Sequence, residues 1–155
     1  MNPGLDTRAL VKKPKPRSRE DYVVFRTITT RFLDNDVYGH VNNSVYYSYF
    51  DTTVSGWLWE QGLVVPQQSS IVGLTVSSSC DYFDSLEFPG TIETGLRVDR
   101  IGSSSVRYGV GVFKRGASQA AAQGQFTHVY VDGGRRPVPL PAALRDGLLR
   151  LVRTD

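Results

Sequence analysis

The sequence has few of the residues that cross-link small proteins or bind metals. Its 155 residues include one cysteine, Cys80, and two histidines, His40 and His128. A single cysteine excludes an internal disulfide, and no cysteine, histidine or carboxylate group has the spacing of a metal site. We therefore expect no metal centre and, since disulfides are not used, a cytoplasmic protein.

Long apolar runs are also missing. Nowhere do eighteen apolar residues follow one another, and the first twenty residues carry charge and proline without an apolar segment. These features argue against a membrane helix and against a secretory signal. With 40% hydrophobic and 21% charged residues, the composition is that of a globular chain with a packed core.

Positive charge is absent from the middle of the chain. Residues 32–96 contain eight acidic side chains and no Lys or Arg, whereas residues 1–31 carry a net charge of +5 and residues 97–155 one of +6. A nucleic-acid-binding surface needs widely spread basic residues, so nucleic acid is not the expected partner. An anion is expected to bind the C-terminal part. Residues 1–19 are predicted to form a mobile basic arm before a single domain over 20–155.

Hydrophobic periodicity predicts an α+β domain. A strand over 22–32, rich in β-branched and aromatic residues, precedes a helix over 44–61 whose apolar residues recur at spacings of three and four. Four more strands are predicted, at 71–83, 91–101, 106–112 and 124–131. A leucine repeat over 140–151 predicts a short C-terminal helix.

A five-stranded antiparallel sheet with one long helix must curl around that helix, because no other element is long enough to fill its concave side. The opposite face of the sheet then needs a cover. Since 11% of the residues are aromatic, we expect self-association to bury that face.

Segment 31–46, with the sequence RFLDNDVYGHVNNSVY, has the densest concentration of reactive side chains. It places two carboxylates, an imidazole and two carboxamides directly before the predicted helix. A helix start offers unpaired N–H groups and the positive end of a dipole, which stabilise an oxyanion. An aspartate there is ionised at neutral pH and can act as nucleophile or general base, so the segment suits acyl transfer.

The same residues also have a structural interpretation. Aspartates form turns, glycine supplies a positive φ, a lone histidine commonly makes a structural hydrogen bond, and asparagine caps helices. The residues concerned are Asp34, Asp36, Gly39, His40, Asn42 and Asn43. Spacing alone leaves both interpretations open.

The pattern D-x-D-x-x-G-H-V-N-N-x-x-Y over 34–46, followed by an aromatic helix, resembles the hotdog-fold thioesterases, in particular the 4-hydroxybenzoyl-CoA thioesterase-like family. The resemblance extends over about residues 20–150. It implies a hotdog fold, an antiparallel five-stranded sheet wrapped around one long central helix. It also implies an acyl-CoA thioesterase that hydrolyses the thioester of an acyl- or aryl-CoA to free acid and CoA.

The resemblance also implies roles for single residues. Asp36 corresponds to the catalytic carboxylate, the main-chain N–H of Asn43 to the oxyanion donor, and His40 to a supporting residue. The substrate-binding positions are Tyr38, Gly39, Asn42, Tyr46, Arg100, Ser103 and Ser104. The last three belong to a turn expected to bind the phosphates of CoA. Two further basic candidates, Arg97 and Arg107, are nearby, and the secondary ones are Lys114, Arg115, Arg135 and Arg136.

CoA is expected to bind as part of the substrate, and the resemblance implies no separate cofactor. The family's sites lie between subunits, so we expect a homodimer or a homotetramer. A non-catalytic acyl-thioester-binding protein and an acyl-carrier-protein thioesterase are alternatives. An RNA-binding module that uses the basic arm is a third, and it predicts an affinity that falls steeply with salt.

Overall fold

In a computed structural model that describes residues 14–155, a five-stranded antiparallel sheet curls around one long helix. The strands are β1 (Val24–Thr29), β2 (Val72–Tyr82), β3 (Thr91–Ile101), β4 (Ser105–Lys114) and β5 (Ala122–Val131). The helices are α1 (Val45–Glu60) and α2 (Ala142–Leu149). The α+β class, the strand number and both helices are as predicted. Residues 1–13, most of the predicted arm, lie outside the described residues.

The strand order is β1-β3-β4-β5-β2, so the strand that follows α1 lies at the far edge of the sheet. β2 pairs with β5 rather than with the next strand in sequence, and β1 pairs with β3. α1 makes this crossover possible, because its 16 residues span about 24 Å across the concave face. β1 and β2 are therefore the two edge strands.

The apolar side of α1 fills the concave face of the sheet. Its buried residues are Tyr46, Tyr49, Phe50, Thr53, Val54, Trp57 and Leu58. They pack with inward-facing side chains of β4 such as Val106, Tyr108 and Val110, which are fully buried. Gly62, with φ +65°, ends the helix as predicted. No helix within residues 14–155 is long and apolar enough to span a membrane.

Part of the convex face, over β3 and β4, is covered by the chain itself, so less of that face is left for self-association than the sequence suggested. The Tyr22 ring lies over Gly95 and Gly111, where any Cβ would clash with it. Ahead of Tyr22, the Arg17 carbonyl accepts a hydrogen bond from the Ala120 N–H (2.9 Å), so residues 14–19 of the predicted arm lie against the sheet. Because Gly95 and Gly111 have no side chains, the Tyr22 ring can pack directly on the backbone of the sheet.

Most of the exposed large apolar side chains lie along the β2 edge and on the loop before α1. On β2 they are Val72, Val76 and Tyr82, and on the loop they are Phe32, Leu33, Val37 and Tyr38. Surface of this kind at the edge of a sheet marks a place where another chain can pair.

Candidate active site at the start of the central helix

Asp34 has a structural role in the loop before α1. Its buried carboxylate accepts hydrogen bonds from the Tyr49 hydroxyl (2.8 Å) and from the N–H (2.8 Å) and Nε (3.0 Å) of Arg31. Burial alone would raise the pKa of this carboxyl, but these hydrogen bonds outweigh it and lower the pKa below the ordinary value. Asp34 therefore anchors the loop to the helix.

Asp36, two residues later, is half-exposed and belongs to a tight loop. Its N–H donates to the His40 carbonyl (2.8 Å), and its carbonyl accepts from the Gly39 N–H (3.1 Å). One carboxylate oxygen accepts from the Tyr38 N–H (2.8 Å), and the other accepts no hydrogen bond from any of residues 14–155. Gly39 has the predicted positive φ, +79°. The loop thus fixes the backbone of Asp36 and leaves one oxygen free.

Two further predicted residues lie on this loop. His40 closes it through its backbone carbonyl, while its imidazole is exposed. The Tyr38 ring is 82% exposed. Both side chains therefore face away from the core of this protomer.

The two asparagines at the helix start differ in their bonding. The Asn42 side-chain oxygen accepts from the N–H (3.0 Å) and hydroxyl (2.7 Å) of Ser44, which is the N-cap residue of α1, so Asn42 holds the turn that leads into the helix. The Asn43 carbonyl accepts from the Tyr82 hydroxyl (2.8 Å). The Asn43 N–H donates to none of the described residues. That N–H is free for a ligand at the positive end of α1.

Tyr46 lies beneath this helix start rather than on its surface. It is buried, and its ring packs edge-on against Tyr82 at 5.1 Å and Tyr49 at 6.0 Å between centroids. Burial raises the pKa of the Tyr46 phenol to about 12, so it stays neutral. Its contacts support the position of Asn43 through Tyr82.

Arg100, Ser103 and Ser104 lie far from Asp36 of the same chain. Segment 30–43 and the β3–β4 turn are at opposite ends of β3, whose 11 residues separate them by about 30 Å. The Ser103 and Ser104 carbonyls accept from the N–H groups of Leu140 and Tyr130, which fixes the backbone of the turn. One protomer therefore does not bring the two predicted groups together.

Arg100 lies directly opposite Arg107 in the β3–β4 ladder, and both side chains are exposed. Neither forms a salt bridge with any residue of the described part of the chain. Two like charges placed opposite each other destabilise a sheet unless an anion offsets them. The pair is thus suited to binding an anion.

Arg97, the nearby candidate for phosphate binding, has a different role. It is buried and pairs with Asp99 (2.6 Å) and Asp155 (2.8 Å). Burial opposes its charge, but these two carboxylates outweigh the effect and raise its pKa. Arg97 holds the C-terminal segment against the sheet and is not available to a coenzyme.

No sequence motif pointed to His128. Phe126, His128 and Tyr130 alternate along β5, and all three side chains are buried on the face toward α1. The alternation of these three residues is visible in the sequence, and a strand of period two would place the His128 imidazole on the same inward face as the two aromatic rings. His128 lines a cavity at the end of the sheet that also carries Arg100.

Comparison with known proteins identifies the family. A model of the thioesterase-like superfamily matches residues 30–148. The PA5185 protein of Pseudomonas aeruginosa is 50% identical, with 90% of this chain and 97% of that one covered and a TM-score of 0.86. No curated relative matches the chain.

More distant structures share the fold alone. A 1,4-dihydroxy-2-naphthoyl-CoA thioesterase from Synechocystis is 16% identical (coverage 81% and 94%, TM-score 0.73). The BH1999 gentisyl-coenzyme A thioesterase is 20% identical (coverage 79% and 99%, TM-score 0.71). With the family match and the five-stranded sheet on a central helix, these findings show that the chain belongs to the thioesterase-like superfamily and has a hotdog fold.

Proposed function

We propose that the protein is an acyl-CoA thioesterase that hydrolyses the thioester of an acyl- or aryl-CoA to the free acid and CoA. The observation that supports this most is a pair of unused groups on one rigid segment. These are the free carboxylate oxygen of Asp36 and the free N–H of Asn43 at the start of α1. The Asn42 N–H donates to the Asp34 carbonyl (2.8 Å) and holds the loop against the helix start.

In the proposed mechanism the thioester carbonyl oxygen accepts a hydrogen bond from the Asn43 N–H. Asp36 removes a proton from water, and the resulting hydroxide attacks the carbonyl carbon. The negative oxygen of the tetrahedral intermediate is stabilised by that N–H and by the helix dipole. The C–S bond then breaks, and the CoA thiolate takes up the proton.

Asp36 also suits a second route with the same products. Its carboxylate attacks the carbonyl directly, CoA thiolate leaves, and water hydrolyses the mixed anhydride to regenerate the carboxylate. In both routes the exposed imidazole of His40 supports proton transfer to the leaving thiolate. The hydrogen bond between the Asp36 N–H and the His40 carbonyl holds the two backbones together.

Asp36→Asn tests this function. We expect kcat for thiol release from an acyl-CoA panel to fall about 10³-fold or more, because the amide is neither base nor nucleophile. Asp146→Asn, a change of an exposed carboxylate on α2, is the matched control and should keep wild-type activity. Near wild-type hydrolysis by Asp36→Asn would refute the role of Asp36. If the wild-type protein bound acyl-CoAs but released no thiol, it would be a non-catalytic binder.

We propose further that the turn Arg100–Ser104, with Arg107, binds the phosphates of CoA. The unpaired guanidinium groups of Arg100 and Arg107 support this assignment. The same phosphate-binding chemistry would serve the phosphopantetheine of an acyl-carrier protein. Comparing hydrolysis of the same acyl group on CoA and on the carrier protein distinguishes the two.

Because Asp36 and Arg100 lie at opposite ends of one sheet, we propose that they meet in a homodimer. β2 is an edge strand of 11 residues, and its Val76 side chain is 59% exposed. Two such edges related by a twofold axis pair antiparallel, which places the start of one β2 beside the end of the other. Asp36 of one protomer then lies at the same end as Arg100 of the other. A homotetramer would contain two such dimers.

A further inference from the structure

Among residues 42–45, at the start of α1, only the N–H of Asn43 has no acceptor in the described part of the chain. The N–H of Asn42 donates to the Asp34 carbonyl (2.8 Å). Those of Ser44 and Val45 donate to the side-chain oxygen and the carbonyl of Asn42, both at 3.0 Å. Ser44, the N-cap residue, makes no capping bond with its own side chain. The position of the Asn43 N–H therefore depends on the contacts of the peptide groups around it.

Tyr82 holds the carbonyl of Asn43. Its hydroxyl donates to that carbonyl (2.8 Å), although the two residues are 39 apart in sequence. Tyr82 is the last residue of β2. The chain directly after it is fixed by the Ala121 carbonyl, which accepts from the N–H groups of Phe83 (2.8 Å) and Asp84 (3.0 Å). The hydroxyl thus links the end of the sheet to the first turn of α1.

The environment of Tyr82 keeps its hydroxyl a donor. Partial burial, with the neighbouring Cys80 and Tyr47 side chains as further causes, raises the pKa of the Tyr82 phenol above its ordinary value. The phenol therefore keeps its proton at neutral pH. The ring packs edge-on against Tyr46, with 5.1 Å between centroids. Because Tyr82 is 42% exposed, its hydroxyl can be removed without opening a cavity in the core.

We infer that Tyr82 is a positioning residue for the proposed reaction, and that its bond to the Asn43 carbonyl holds the Asn43 N–H in place for the thioester oxygen. The inference rests on the proposed function. The first turn of a helix frays readily, since its N–H groups lack intrahelical partners. A donor stabilises an oxyanion best when it is fixed before the reaction begins. Loss of the hydroxyl should therefore weaken catalysis more than it weakens the binding of CoA.

Tyr82→Phe tests this role, because it removes the hydroxyl and keeps the ring. Loss of an oxyanion donor itself lowers kcat about 10²- to 10³-fold, and a displaced donor keeps part of its effect. We expect kcat for thiol release to fall about tenfold, with KM changed less than about twofold. Tyr22→Phe is the matched control, because the Tyr22 hydroxyl bonds to no described residue and lies on the convex face. A wild-type kcat for Tyr82→Phe would overturn the inference.

Binding of substrate analogues separates positioning from a general loss of structure. In analogues of acetyl- and benzoyl-CoA a methylene group replaces the thioester sulfur and leaves a ketone, and in their controls a methylene group replaces the carbonyl as well. The wild type should bind the ketones about threefold or more tightly than the controls, because only a ketone oxygen accepts from the Asn43 N–H. Tyr82→Phe should lose this preference and bind the controls as the wild type does. Equal losses of affinity for ketones and controls would show a merely structural role and overturn the inference.

The two experiments distinguish this inference from the hydrolase. A ketone preference that is lost in Tyr82→Phe, without thiol release from any acyl-CoA, would support the positioning of the Asn43 N–H by Tyr82 and refute the hydrolase. Thiol release that Tyr82→Phe leaves at the wild-type rate would refute the role of Tyr82 and leave the hydrolase intact.

Discussion

The two ends of the sheet carry the two parts of the proposed thioesterase site. The loop end, residues 31–43 with the start of α1, has a carboxylate oxygen and an N–H that no described residue occupies, and Tyr46 beneath them is buried. The turn end, residues 100–105 with the cavity at His128, has unpaired cations and an apolar cavity. This difference is the basis of the proposal that a complete site needs two copies of the chain.

The two ends also differ in how their charges are held. At the loop end Asp34 is saturated with hydrogen bonds and fixes the backbone that presents Asp36. At the turn end Arg97 is saturated by Asp99 and Asp155, while Arg100 remains unpaired. In each place a buried, paired charge lies close in sequence to a more exposed charge that no described residue pairs.

The largest stability effect is expected from breaking the anchor of the loop end. Asp34→Asn should lower the free energy of unfolding by about 2 kcal/mol at pH 7, because the charged acceptor for Arg31 and Tyr49 is lost. Urea unfolding measures this, with Asp146→Asn as the exposed control. Wild-type stability of Asp34→Asn would contradict the assigned role.

The same variant gives a pH dependence of known sign. The folded-state pKa of Asp34 is lowered, so its stabilisation is complete above the ordinary pKa of about 3.9 and is lost as pH falls through the folded value. The stability difference between wild type and Asp34→Asn should therefore be constant from about pH 7 to 5 and should shrink below about pH 4. A difference that stays constant to pH 3 would show that the charge is not responsible.

A smaller effect, on substrate affinity, tests the turn end. Replacing Arg100 and Arg107 together by Ser should raise KM for an acyl-CoA about tenfold at low salt, with kcat little changed, because charge-assisted contacts to phosphate are lost. Arg115→Ser, at the opposite end of β4, is the matched control. If Arg115→Ser raised KM instead, the coenzyme would bind at the loop end and the division between the two ends would be wrong.

Local sequence patterns predicted the fold well, since strand alternation, helix periodicity and the glycine after α1 depend on short-range chemistry. The strand order could not be predicted from local patterns, because the position of β2 at the far edge depends on its pairing with β5, a strand distant in sequence. Arg97 and Arg100 look alike in sequence. Only the fold shows that Arg97 lies opposite Gly109 and meets Asp155, 58 residues away.

In the candidate site, too, the sequence predicted local features but not the contacts between distant residues. The loop motif pointed to Asp36 and Asn43, but the burial of Asp34 depends on a hydroxyl 15 residues along the chain. His128 belongs to no recognisable motif, and the absence of a hydrogen-bond partner for its imidazole among the described residues follows from the packing of the sheet.

Subunit complementation tests the shared site most directly. Asp36→Asn protein is mixed with Arg100→Ser, Arg107→Ser protein, the dimers are dissociated and reassembled, and thiol release is measured at low acyl-CoA concentration. If each site takes Asp36 from one protomer and the basic turn from the other, half of the dimers have one intact site, and about a quarter of wild-type activity returns. If the mixture is no more active than the average of the two variants alone, each site lies within one chain and the account is wrong.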